Sequence, residues 1–133
     1  MSDVQLSDRL IRADRLSKVL ALVVAMVFFV GSLWLTEAQY ISSIAAAGAG
    51  IGARFLLPYG VSLTVPEGEG VSIEDHPGTG NYHHGAVGAA LLLGSLVMVG
   101  VLAETGETNL TLALGLIAMG FLFVIFSELL PRG

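Results

Sequence analysis

The residues of this chain best suited to chemistry lie in one polar stretch near its middle. Glu74, Asp75 and His76 are followed after a short interval by His83 and His84. Imidazoles and carboxylates are common metal ligands, but neighbouring histidines do not readily bind one ion, and no His-x-x-x-His or Glu-x-x-His spacing occurs. The pattern therefore favours interfacial histidines that respond to pH over a metal site.

The remaining composition argues against enzymatic chemistry. The chain has no cysteine, and no serine stands with a histidine and an acid in a recognisable nucleophile arrangement. Gly78 and Gly80 lack the strand, the Lys-Ser/Thr pair and the polar helix that surround a phosphate-binding loop. We therefore expect a non-enzymatic protein with no catalytic residue, no cofactor and no bound metal.

Basic residues form the second group of candidates. Four of them recur at every third position before the first apolar segment, namely Arg9, Arg12, Arg15 and Lys18. They either set the membrane topology, attract anionic lipid or contact nucleic acid. Interleaved aspartates reduce the net positive charge and so weaken the case for nucleic-acid binding. Arg54 is the only basic residue inside a predicted span. Its place near the end of that span favours anchoring at the inner face over an ion path or an anionic-ligand site.

Four apolar segments must position these residues. Mean hydropathy is +0.80 and 54% of residues are hydrophobic, well above the globular average. The predicted transmembrane helices are residues 19–35, 41–57, 85–103 and 110–130. Short connections pair them as two antiparallel hairpins. We expect an all-α integral membrane fold with four transmembrane helices, in a single membrane domain of residues 1–133.

The segments that flank the spans also carry structural signals. Residues 1–18 predict a basic interfacial helix that continues into the first span, supported by ion pairs of Asp8 with Arg12 and Asp14 with Lys18. Asn109 is expected to cap the fourth span. Residues 60–84 form the long inner loop, in which alternating apolar residues predict a small β-hairpin. The residues expected on one face of that hairpin are Val61, Leu63, Val65, Val71 and Ile73.

The distribution of positive charge predicts the orientation in the membrane. With the N-terminus inside, all six basic residues fall on the cytoplasmic or interior side, and the two outer turns carry only acids. Both termini and the long loop are then expected on that side. No acidic residue lies at mid-depth in any span, which weighs against a proton-relaying transporter.

Small residues in the second span predict close helix packing. Gly48 and Gly52 stand four residues apart, and Gly50 lies between them in a run of alanines. Such residues let two backbones approach closely in lipid. Gly94 repeats the signal more weakly in the third span. The partner is either another helix of the same chain or a second copy in a homo-oligomer.

Composition and architecture together suggest a setting. Eleven acidic residues stand against six basic ones, and Lys18 is the only lysine, which is typical of halophilic proteins. In length, span count and acidic, lysine-poor composition the chain resembles the small internal membrane proteins of haloarchaeal pleomorphic viruses. That resemblance, which includes no shared motif, implies a structural protein of the virion envelope.

The function expected from the sequence is structural. We expect an assembly protein of a cell membrane or virion envelope that packs with itself or with other membrane proteins. The alternative is an accessory subunit of a transport or respiratory membrane complex.

Overall fold

Four long helices make up the described part of the chain. The structure is a computed structural model that describes residues 8–62 and 82–130. Its helices are α1 (Asp8–Thr36), α2 (Gln39–Ser62), α3 (Tyr82–Thr105) and α4 (Thr108–Leu129). Each is long and apolar enough to cross a membrane. The predicted all-α fold with four membrane-length helices is confirmed, and no strand occurs within the described ranges.

Each helix begins before the apolar segment that predicted it, and α1, α2 and α3 also end later. In α1, the expected interfacial residues from Asp8 onward and the first span form one continuous helix. In α2, the helix passes through Pro58 and ends at Ser62. Proline removes one backbone donor, and membrane helices tolerate this loss where neighbouring helices pack around them. Pro58 is buried in this way. Val61 is therefore helical, and its predicted place in a β-strand is wrong; Leu63, Val65, Val71 and Ile73 lie outside the described residues.

Two turns of the same geometry close the two hairpins. Each has one residue in the left-handed region directly after a threonine: Glu37 at φ 56° and Gly106 at φ 68°. The N–H of each donates to a helix carbonyl four residues earlier, at Leu33 and Leu102, over 2.8 Å in both cases. These bonds are the single-bond form of a left-handed helix C-cap. Only glycine adopts that conformation without steric cost, so Glu37 is the strained member.

The preceding threonines reinforce both turns. Thr36 Oγ1 accepts from the N–H of Ala38, and Thr105 Oγ1 accepts from the N–H of Glu107, each over 3.2 Å. Glu107 is the N-cap residue of α4, and its side chain makes no capping bond. Asn109, the predicted cap, lies inside the first helical turn, so that prediction is wrong. The turn is stabilised by the residue that ends α3.

The helices pack in chain order as an open layer. α1 packs on α2, α2 on α3 and α3 on α4, with a minor contact between α1 and α3 and no extensive contact between α1 and α4. Buried residues make up 44% and 39% of the most apolar stretches of α2 and α3, but only 6% and 11% of those of α1 and α4. Two central helices are thus flanked by two outer helices that expose most of their apolar side chains.

A small apolar core holds the central helices to α4 near the turns. Its buried members are Ile41 of α2 with Met98 and Leu102 of α3, and Leu112 and Met119 of α4 pack against them. Flexible methionine side chains fill irregular gaps between helices well. At the opposite end of the layer, which carries the described basic residues, polar side chains join α1 to α2.

Candidate functional site

Glycines bring α2 and α3 into backbone contact. A Cβ placed on Gly52 would lie 2.6 Å from the carbonyl oxygen of Gly88, and one placed on Gly88 would lie 2.7 Å from the carbonyl oxygen of Gly52. Such a reciprocal approach leaves no room for a side chain on either helix. It is the geometry in which dispersion and Cα–H···O contacts stabilise helix pairs in lipid.

The other predicted packing glycines also face neighbours within this chain. At Gly48 a Cβ would lie 2.5 Å from Ser95 Oγ of α3, and at Gly50 it would lie 3.1 Å from the carbonyl oxygen of Ala21 of α1. Gly94 of α3 faces the side chain of Met119 of α4. The small-residue run of α2 therefore serves two neighbours, α1 on one side and α3 on the other.

Buried hydroxyl groups join in the same helix contacts. Ser42 of α2 donates to Ser32 of α1 over 2.9 Å, and both side chains are buried. Ser95 and Thr111 donate to carbonyls four residues earlier in their own helices. Within the described residues no buried side-chain polar atom lacks a hydrogen-bond partner. These hydroxyls thus pack as satisfied groups.

The charged cluster of α1 and α2 is the most chemically distinctive feature of the layer. Arg54 donates through one terminal nitrogen to Asp14 Oδ1 and through the other to Ser17 Oγ, each over 2.8 Å. Ser17 Oγ in turn donates to the carbonyl oxygen of Asp14. Lys18 Nζ lies 3.8 Å from Asp14 Oδ2, which confirms the predicted i,i+4 pair. We call Asp14, Ser17, Lys18 and Arg54 the charged cluster.

Sequence reasoning missed the partner of Arg54, although the hairpin register contained a signal. Counting back from the two-residue turn, Arg54 stands opposite Ala21, and Asp14 lies about 10 Å further toward the helix end at 1.5 Å per residue. A long arginine side chain that extends toward the membrane surface must therefore run along α1 past Ser17 to Asp14. The structure places it there. The snorkelling direction predicted for Arg54 thus ends on a carboxylate of the same chain.

The basic stripe of α1 divides between two faces of the helix. A step of three residues turns a helix by about 300°, so positions at this spacing drift around its surface. Arg12 lines a groove with Leu57 and Val61 of α2. Lys18 lines a different groove, with Arg54 and Gly50. Arg12, Arg15 and Lys18 are exposed, and the side chain of Arg9 lies outside the described residues. Arg12, Arg15 and Lys18 therefore spread over an arc of about 120° on α1, and Arg12 and Lys18 line different grooves.

An aromatic group joins α2 to α3 beyond the glycine contact. The rings of Phe55 and His84 stack at a centroid distance of 5.2 Å with an interplanar angle of 7°. Tyr59 is buried, and its ring covers Gly85, where a Cβ would lie 2.7 Å from the ring. His84 therefore packs against an aromatic ring near the start of α3, where the sequence predicted interfacial histidines.

Most of the histidine and acidic residues considered above as metal ligands lie outside the described residues. Glu74, Asp75 and His76 lie outside the described residues, as does the side chain of His83. Among the described side chains no group of three or more histidine or acidic residues is placed to hold a metal ion. Comparisons with family models, characterised proteins and solved structures found no match to this chain.

Proposed function

We propose that this chain is a structural membrane protein that associates laterally, through the outward faces of α1 and α4, with copies of itself. Its termini and the segment between α2 and α3 face the cytoplasmic or interior side. The observation that supports the proposal is the asymmetry of burial in the layer. The central helices use their small residues on neighbouring helices of the same chain, whereas the outer helices leave large apolar side chains uncovered.

The uncovered faces are continuous along both outer helices. On α1 they include Leu22, which is 68% exposed, and Met26, which is 67% exposed. On α4, Ile117 and Phe121 are 66% and 67% exposed. In a membrane such faces meet either lipid tails or another protein. Lateral packing gives α1 and α4 a second neighbour each and replaces their contacts with lipid tails by dispersion contacts between side chains.

The polar content of the spans supports a structural role over solute transfer. The buried hydroxyls take part in hydrogen bonds with carbonyls or with each other. The one described cation that lies within a candidate span and is partly buried, Arg54, is paired with Asp14. The bonds of Ser42 with Ser32 and of Arg54 with Asp14 and Ser17 join α1 to α2, and the other hydroxyls bond within their own helices.

Cysteine cross-linking in native membranes tests the proposal directly, because the chain contains no cysteine. Single cysteines at Leu22, Met26, Ile117 and Phe121 report on the outward faces. A cysteine at Ala45, which is fully buried, is the matched control. Disulfides require Cα atoms within about 7 Å. We therefore expect oxidation to give dimers at outward positions and none at Ala45.

The mass of the protein in mild detergent separates the outcomes. A multiple of the 13.8 kDa chain supports self-association. A single chain that also fails to cross-link at all four outward positions contradicts it. A stoichiometric respiratory or transport partner would instead establish the accessory-subunit alternative. The resemblance described above makes a virion envelope a candidate membrane, and immunodetection in purified virions against host membranes tests that setting.

A further inference from the structure

The charged cluster lies at one end of an open apolar groove between α1 and α2. The groove has a volume of about 370 Å³. Small residues form its floor, among them Ala21 and Ala25 of α1 and Ala47 and Gly50 of α2. Lys18 and Arg54 are its only charged lining residues. An apolar trough with a cationic end has the chemical pattern of an amphiphile with an anionic head.

We propose that this groove binds one anionic phospholipid, whose phosphate contacts Lys18 and Arg54 and whose acyl chain lies along the small residues toward Ala25. From Lys18 to Ala25 the helix rises about 10 Å, enough to hold the upper half of an acyl chain. The wall residue Leu22 is 68% exposed, so the groove is open on the outward side of α1.

The charge of the cluster selects an anionic head. Asp14 carries one negative charge against the positive charges of Lys18 and Arg54, so the cluster bears one net positive charge. Asp14 and Ser17 accept two of the five N–H donors of the Arg54 guanidinium. The Lys18 side chain is 64% exposed, and its 3.8 Å contact with Asp14 is too long for a hydrogen bond, so its ammonium group can turn toward a phosphate. A zwitterionic head places its own positive charge beside Lys18 and Arg54, so its net attraction to the charged cluster is weaker.

The pairing with Asp14 is what makes the site specific. It fixes the guanidinium at the end of the groove, since both terminal nitrogens are already oriented by α1. A positioned cation loses less conformational entropy on binding than a mobile one. The groove on the other side of the hairpin has Arg12 as its only charged lining residue, and among the described side chains no acid forms an ion pair with that arginine.

Native mass spectrometry of the full chain in mild detergent tests the site by titration with dioleoylphosphatidylglycerol and dioleoylphosphatidylcholine. We expect the first phosphatidylglycerol to bind about tenfold more tightly than phosphatidylcholine, and Lys18→Gln to weaken it about fivefold. Arg15→Gln removes the same charge from an exposed residue that lines neither groove. It should change the affinity less than twofold, roughly the effect of a screened distant charge.

A second pair of variants tests the acyl-chain half of the site without altering charge. Ala47→Leu fills the groove and should weaken both lipids, whereas Ala113→Leu, at an exposed position on α4, should weaken neither. Equal effects of Lys18→Gln and Arg15→Gln would show diffuse attraction and overturn the proposal. Glycerol phosphate competing as well as the lipid would also overturn it, because a simple anion site needs no groove. These outcomes do not depend on whether copies of the chain associate.

Discussion

Replacing Gly52 or Gly88 with alanine should force α2 and α3 apart. A Cβ on Gly52 would stand 2.6 Å from a carbonyl oxygen and 3.0 Å from the backbone nitrogen of Leu92, where ordinary contacts begin at 3.4 Å. Both obstacles are backbone atoms, so no side-chain rotation relieves the clash. The two helices must separate by about 0.8 Å, the difference between 3.4 and 2.6 Å, and a gap of that size removes a quarter to a half of each contact energy.

The expected loss of stability follows from two opposing effects. Overpacking of this kind costs about 1–3 kcal/mol, while alanine improves on glycine in a helix by about 1 kcal/mol. Gly100→Ala and Gly120→Ala supply the matched controls, because nothing lies within 4 Å of a Cβ at either position. Subtracting a control removes the helix-propensity gain. Gly52→Ala and Gly88→Ala should therefore be less stable than the controls by about 1–3 kcal/mol.

The assay is unfolding by SDS in mixed micelles, and it is monitored by energy transfer between dyes attached to two introduced cysteines. Tyr40→Cys and Ala103→Cys suit this purpose, since both positions are exposed and lie near the turn ends of α2 and α3. The stability of Gly48→Ala should lie between that of the Gly52 and Gly88 variants and that of the two controls. The atom nearest to its new Cβ is the hydroxyl of Ser95 rather than a backbone atom. If Gly52→Ala is as stable as Gly100→Ala, the backbone contact between α2 and α3 is wrong.

Three further changes test the turns and the polar contacts, each by the same unfolding assay. Glu37→Gly should stabilise the protein by up to about 1 kcal/mol, because it removes a non-glycine residue from the left-handed region; a loss of stability would contradict the φ of 56°. Asp14→Asn should lower the free energy of unfolding by about 1 kcal/mol, because both partners of the ion pair are partly exposed. In an Arg54→Gln background the same substitution should cost little. An unchanged cost there would refute the pairing. Ser42→Ala should cost about 0.6 kcal/mol through its bond to Ser32, and a full cost in a Ser32→Ala background would show that the bond contributes nothing.

The sequence predicted what depends on local composition and missed what depends on register between helices. Length and hydropathy were sufficient for four membrane-length helices, because any apolar segment of that length must satisfy its backbone internally. Hydropathy underestimated the length of α2, because the apolar segment ends before Pro58 while the helix continues to Ser62. Nothing local identifies Glu37 as left-handed. That conformation is imposed by closing a hairpin in two residues.

The glycine spacing of α2 contains more positional information than a packing motif alone. Positions four residues apart lie on one face of a helix, whereas positions two apart are separated by about 200°. Gly48 and Gly52 therefore share a face, which meets α3, and Gly50 lies on the opposite side, which meets α1. A helix with small residues on two opposite faces can pack closely against two neighbours, and α2 does so with α1 and α3. Because these three glycines contact helices of the same chain, the self-association proposed above requires other surfaces. The outward faces of α1 and α4 are the surfaces proposed for it, and the cross-linking positions test them.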